Sequence, residues 1–381
     1  MNRYFMKSLY CITIIGFLIL SCNRTKQYVP AELFEIPVDI DQNYSLPLSE
    51  IAEDITAIEL EMTNESLINP DYINQIIFSD NYIIVSEVTK TLVFNKDGKF
   101  HRRIGSMGQG PGEYSGLILG VALDEKKERI FITAFPGKII CFDIDGKLLK
   151  EVRTVLVSSY RSIDYINDEL LIVNNQMSLV DKIVTNTTSL HRLTEEFQVI
   201  DSLIFRKNHM HMYTSDPVVL SSTYYNDFIF KGNRSVYFFY CEIYSQKSPP
   251  VERVLRDTLY RFEDNQLVPE LKLKFKNDGI DGSGNKYIDL WNIFRSSRYV
   301  FSIYSKNNDR TIKYHFCYDT KTGKSYNMLD GYSDDINEIE KRVSIRPLVA
   351  DSEIFYYWHT NMKPGDLLEP NPTLYIIKLK K

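Results

Sequence analysis

The sequence predicts an all-β fold, a ring of six four-stranded antiparallel sheets. Three observations predict it: the residue usage, a recurring strand-and-turn unit, and a strand missing at one end of the repeat series but left over at the other. Of 381 residues, 26 are Tyr and 21 are Phe, against only 2 Trp. Ile, Val, Tyr, Phe and Thr fill most short runs, and these residues suit a pleated, half-buried surface. Long Ala/Leu/Glu/Lys stretches of helical character are missing.

The unit is strand, turn, strand, strand, hairpin turn, outer strand. It first covers 73–78, 82–86, 91–94 and 100–104, with Asp97-Gly98 in its last turn. It returns at 119–123, 130–133, 139–143 and 148–152, with Asp145-Gly146 in the matching turn, 48 residues on. Asp-Gly between alternating apolar runs is a strong hairpin signal. Weaker copies run from 162 to 203, 227 to 273 and 293 to 329. A sixth copy, 343–378, lacks its outer strand, and the strand 55–62 at the other end stands unassigned. The N-terminal strand is therefore expected to complete the last sheet and close a six-bladed β-propeller, which hides sheet edges. Residues 51–381 give about 55 residues per blade, above the usual ~40–45; loops at 206–226 and 245–257 are expected to hold the excess.

Charge narrows the partners. There are 50 acidic and 45 basic side chains, net −5. Without Arg3 and Lys7 of the first 21 residues the net charge is −7. A general nucleic-acid role is excluded, because that affinity rests on clustered Lys and Arg. The first 21 residues read as a signal peptide: a basic start, then an apolar run from Leu9 to Leu20, short for a membrane span. Ile19-Leu20-Ser21-Cys22 ends it and resembles a bacterial lipobox, which implies cleavage and lipidation of Cys22. Residues 22–50, with Pro30, Pro37 and Pro47, read as a lipidated tether and lead-in strand, and 51–381 as the propeller. The next residues, Asn23-Arg24-Thr25-Lys26, include no acid, which favours an outer-membrane lipoprotein facing the periplasm. Cys141, Cys241 and Cys317 remain after processing, an odd number with no C-x-x-C spacing, and are expected as buried structural thiols.

The sharpest motif is Gly105-Ser106-Met107-Gly108-Gln109-Gly110-Pro111-Gly112-Glu113-Tyr114, which joins the first blade to the second. A dinucleotide-binding reading fails, since Pro111 interrupts it and a β unit follows where a helix is required. The run from Gly108 through Asp145-Gly146 looks like an NHL-type repeat. The whole chain resembles the six-bladed β-propeller lipoproteins of Bacteroidetes. The lipobox, Ile58-Glu59-Leu60-Glu61, Glu65-Ser66-Leu67-Ile68 and the glycine-rich loop carry that resemblance. It implies fold and envelope location, and no activity.

No catalytic or metal-ligating residue is assigned and no cofactor is expected. His209-Met210-His211 reads as exposed loop, with Asp216 nearby. Glu113 is expected to accept backbone N–H groups within its own loop. Inter-blade crossings and the turns between second and third strands share one face of a propeller. Glu87, Lys90, Glu113, Tyr114, Phe135, Lys138, Asn174, Asn175 and His359 are placed there as ligand-face candidates. The expected function is a monomeric, lipid-anchored envelope module that binds a protein, peptide or glycan. The alternative is a metal-dependent hydrolase or lyase of the lactonase-like or streptogramin-lyase-like type. It needs carboxylates on the axis around Ca²⁺ or Zn²⁺, for which inner strands offer Asn74, Asp164 and Asp227.

Overall fold

The computed structural model describes residues 33–42, 44–153, 158–181, 183–211, 229–232, 235–240, 256–282, 286–307, 309–361 and 369–381. The signal peptide, Cys22, Cys241, Asp216 and Asp227 lie outside the described residues. Among the described residues, six antiparallel sheets of four or five strands follow one another along the chain, with a two-stranded hairpin, Tyr332–Asp334 and Ile339–Val343, between the fifth and sixth. Blade 1 runs from inner to outer strand through Ile73–Phe78, Tyr82–Glu87, Lys90–Asn95 and Phe100–Ile104. Blade 2 follows with Ile118–Asp124, Arg129–Ala134, Lys138–Asp143 and Leu148–Arg153. Blade 3 has Ser158–Ile166, Glu169–Val180, Ile183–Leu193 and Val199–His211. Blade 4 has Ile229–Lys231, Val236–Phe238, Thr258–Glu263 and Gln266–Phe275. Blade 5 has Ile288–Arg295, Tyr299–Lys306, Asp309–Asp319 and Lys324–Leu329. Blade 6 has Arg346–Pro347, Ile354–His359 and Thr373–Leu379. Its outer strand is Ala52–Glu59, paired from Ala52↔Leu379 to Glu59↔Thr373. The fold is a six-bladed β-propeller closed by the N-terminal strand.

Period-two alternation explains why the strands read as unbroken apolar runs. Ile83 and Val85 face blade 6, in a core with Tyr356 and Leu374. Ile84, between them, faces blade 2 with Val121, Ile130 and Ile132. Leu92, Val93 and Phe94 divide in the same way. Each blade is sandwiched, so both faces must be apolar.

Two segments depart from the sequence expectation. Residues 34–50 are built into the folded body. Phe34–Val38 adds a fifth strand to the outer edge of blade 4. The chain then crosses blade 5, where Tyr44 N donates to Asn327 O (2.7 Å) and Asn327 Nδ2 donates to Asp39 O. It reaches blade 6 beside Asp335, whose Oδ1 accepts from Ser49 N (3.0 Å). Ile36, Val38, Leu46, Leu48 and Ile51 are buried in the core shared by blades 4, 5 and 6. Residues 206–211, expected as loop, extend the outer strand of blade 3. They pair with the third strand as far as Ile183↔His211, so His209 and His211 end a strand.

Removing the Leu48 side chain should therefore open a cavity under this clasp. Leu48→Ala should cost about 2–5 kcal/mol in urea unfolding; a loss below about 0.5 kcal/mol would show that the clasp does not pack. The two Asp-Gly turns make a second test. Gly98 (φ +86°) and Gly146 (φ +85°) share a conformation, but a Cβ on Gly98 would overlap the Glu59 carbonyl of the closing strand. The atom nearest a Cβ on Gly146 is 3.4 Å away. Gly146→Ala should cost about 1–2 kcal/mol from backbone conformation alone, and Gly98→Ala clearly more. Equal losses would contradict the close approach.

Candidate functional site

The inner strands all run the same way, so the ring has two distinct faces. One carries the turns between second and third strands and the crossings between blades. The other carries the turns between inner and second strands.

The sequence candidates sit at the first of these faces, where most act as connectors. Glu87 is buried; its Oε1 accepts from Asn69 N (3.0 Å) and pairs with Lys90 Nζ (3.2 Å). Burial pushes its carboxyl above the usual range, against the Asn69 N–H and the Lys90 charge. Lys90 also donates to Leu67 O. Glu113 Oε2 accepts from Gly110 N (2.7 Å), as expected of a carboxylate folded back into its own loop. A Cβ on Gly108 would meet that carboxylate, so a side chain there would have to displace the Glu113 carboxylate. Lys138 donates to Glu113 O and pairs with Glu151 (2.7 Å), whose Oε2 also accepts from Gly112 N (2.8 Å). Tyr114 is fully buried, and its hydroxyl donates to Thr89 O (3.1 Å). Glu113, Tyr114 and Lys138 thus stitch blade 1 to blade 2.

The remaining candidates are not brought together. Asn174 and Asn175 are successive residues of one strand and point to opposite faces of blade 3. Asn174 Nδ2 lies 3.4 Å from His191 Nε2, which pairs more closely with Ser189 Oγ (2.6 Å). Among the described residues, Oδ1 of Asn174, Asn175 and Asn186 is buried without a hydrogen-bond partner. Phe135 is 47% exposed. His359 ends the second strand of blade 6, half-buried, with its imidazole pKa lowered by burial.

A recess lies on the axis towards the other face, where strand-end acids gave only a turn-cap signal in the sequence. It is a cavity of about 790 Å³ lined from blades 1, 2, 3, 4 and 6. Blade 5 is screened by the first turn of blade 6. There Ala350 N donates to Lys231 O (2.9 Å) and Asp351 N to Arg295 O (3.2 Å). Gln75 is held in the wall by Val121 N, which donates to its Oε1 (2.9 Å).

Several charges in the cavity are already held: Glu125 accepts from Asp80 N (2.5 Å) and Asp168 from the Tyr165 hydroxyl (3.4 Å). Asp124 is committed to Arg129 (2.6 Å), which also holds Glu195 (2.8 Å), and Tyr165 donates to Glu195 (2.6 Å). The Arg129 hydrogen bond, before those of Lys127 and Tyr165, brings the Glu195 carboxyl down to about 2. Arg346 lies 4.9 Å from the centroid of the Trp358 ring. Lys126 has no hydrogen bond or ion pair among the described residues. Among the described residues, Asp164 Oδ1 accepts from Tyr165 N alone (2.7 Å). Burial pushes the Asp164 carboxyl up to about 6, with the Lys231 charge opposing. Blades 2, 3 and 4 therefore offer Lys126, Asp164 and Lys231 in series around the wall.

Convergence of acids on the axis is limited. Asn74 donates to Ile118 O (3.1 Å), joining blades 1 and 2, and does not line the cavity. Among the described residues no three His, Cys, Asp or Glu side chains are placed to hold a metal. Cys141 and Cys317 occupy matching places on the third strands of blades 2 and 5, both buried. Burial raises both thiols, that of Cys141 to about 11, so neither is a reactive thiolate.

Residues 32–379 match the domain of unknown function DUF4934. The chain belongs to that family. A Bacteroides fragilis protein described provisionally as exported is similar in structure, with TM-score 0.59 and 18% identity, over 92% of this chain and 100% of that one. Weaker likenesses are the WD40 domain of Neurospora crassa Pan2 and BamB of Moraxella catarrhalis. The first has TM-score 0.40 and 10% identity, over 81% of this chain and 76% of that one. The second has TM-score 0.39 and 11% identity, over 83% and 79%. No curated protein matches the chain.

The raised Asp164 pKa has a stability consequence. Between its unfolded value near 4 and about 6, the folded state holds the proton more tightly. Asp164 should thus cost stability as pH rises through that window. Melting of Asp164→Asn and the parent, followed from pH 4 to 7, should show the variant gaining relative stability up to about pH 6.5. A pH-independent difference would contradict the burial of this carboxyl.

Proposed function

We propose that the chain is a lipid-anchored binding module of the bacterial cell envelope that takes a polar peptide or glycan in the axial cavity. One observation carries the site: Lys126, Asp164 and Lys231 line one wall, with Lys126 and the second Asp164 oxygen uncommitted. Polar groups in a recess of this size fix the orientation of a ligand. Cavity and wall belong to one chain, so a monomer suffices.

Envelope location is supported by Ile19-Leu20-Ser21-Cys22 behind a basic start and an apolar core. The provisional description of the similar Bacteroides fragilis protein as exported points the same way. The absence of acids just after Cys22 supports the periplasmic side of the outer membrane.

Two measurements test the reading. Cys22→Ala should lose palmitate labelling and leave the membrane fraction; a variant that keeps the label would refute lipidation. A photo-crosslinking amino acid at position 126 should form a protein or glycan adduct in cells, lost on adding Asp164→Lys. An adduct from position 135 with none from 126 would move the site to the opposite face.

A further inference from the structure

The second strand of blade 3 is long, and its third strand equals that of blade 5 in length. They hold 12 and 11 residues, against 6 and 6 in blade 2. Among the described residues, the inner strand of blade 3 begins at Ser158, opposite Gln176. Among the described residues, 177–180 continue past Ser158 and pair with 183–186, which pair in turn with 208–211 of the outer strand. At about 3.3 Å per residue this overhang spans about 13 Å. It stands on the face that carries the second turns, away from the mouth of the cavity.

Beside exposed Ser178 and the exposed turn residue Asp181, it presents large apolar side chains to solvent. Met177 is 38%, Leu179 58% and Val180 65% exposed. The neighbouring blade adds exposed Met107, Leu117 and Phe135 to the same face. Large apolar groups gathered at one end of a molecule mark an interaction surface.

The length of chain before the fold indicates what covers it. Phe34–Val38 lies on blade 4, next to blade 3 in the ring. Eleven residues, 23–33, separate it from Cys22. Fully extended they span at most about 36–40 Å. A lipid on Cys22 would hold the propeller within that reach of a bilayer. A short tether raises the effective concentration of a second contact to the millimolar range, so even a small apolar tip is populated on the membrane.

We propose that the blade 3 overhang is a membrane-contacting finger, with Leu179 and Val180 entering the lipid interface and the axial cavity facing away from it. This rests on the lipid-anchor reading above. Interfacial elements bury their apolar side by about 5–10 Å, a depth the overhang can supply.

The test uses the full chain, processed in its bacterial host, with Leu179→Trp as reporter and Leu149→Trp, exposed on the opposite face of blade 2, as control. Each is reconstituted into phosphatidylethanolamine–phosphatidylglycerol vesicles with or without dibrominated acyl chains. The emission added at 179 should be quenched at least twofold by brominated lipid, and that added at 149 should not change. An unquenched 179, or equal quenching at both positions, overturns the proposal. A blue-shifted but unquenched 179 also overturns it and assigns the tip to a protein contact. The mass of the N-terminal peptide separates the two failures. An unmodified Cys22 removes the anchor reading and the finger with it; a lipidated Cys22 with no quenching removes the finger alone.

Discussion

Backbone pairing between Ala52–Glu59 and Thr373–Leu379 is the constraint on which the rest of the molecule depends. It joins opposite ends of the fold, so every blade gains a neighbour on both sides and every sheet must be apolar on both faces. That pairing is reinforced from two directions. Gly98, in the last turn of blade 1, packs directly on the Glu59 carbonyl, and Glu61 N donates to Gly98 O (2.9 Å). On the other side the 34–51 clasp covers blades 4, 5 and 6, and Lys380 Nζ donates to Ser49 O (2.7 Å). The seam of the ring is held by backbone contacts and buried aliphatic groups, and surface ion pairs contribute little to such a junction.

Closure also divides the labour between the faces. At one face, Glu87–Lys90 and the Glu113–Lys138–Glu151 network use their charges to join chain segments. Those groups are satisfied, and a ligand would have to displace existing bonds to reach them. At the other face the first turn of blade 6 reaches across to blade 4 and screens blade 5. The axis is left as a one-sided recess whose open wall belongs to blades 2, 3 and 4. Lys126 and Asp164 are available there because no second turn or crossing covers them.

Blades 1 and 2 were legible almost to the residue, because Asp97-Gly98 and Asp145-Gly146 set the hairpins and the flanking runs alternate cleanly. Closure followed from counting strands. The clasp was less visible: Pro37 and Pro47 suggested a tether, and the buried set Ile36, Val38, Leu46 and Leu48 is spread over two crossings with no period to read. The overhang of blade 3 was missed because its strands are polar where they leave the core, at Asn174–Gln176 and Thr185–Thr188. The axial cavity was legible only as single residues. Asp164 reads as a turn cap in sequence, and its place beside Lys126 and Lys231 is a product of ring geometry. The expected ligand face was chosen from connectivity alone, which cannot show that Glu87, Glu113 and Lys138 already have partners.

The central claim is that this propeller binds its ligand on the axis, at the mouth formed by the first turns. Hydrogen–deuterium exchange of the purified protein, alone and after addition of solubilised envelope from its own host, tests it most directly. Protection should appear at residues 124–127, 164–168 and 231–232. Protection confined to 87–90, 113–117 and 135–138, with the axial segments unchanged, would contradict it.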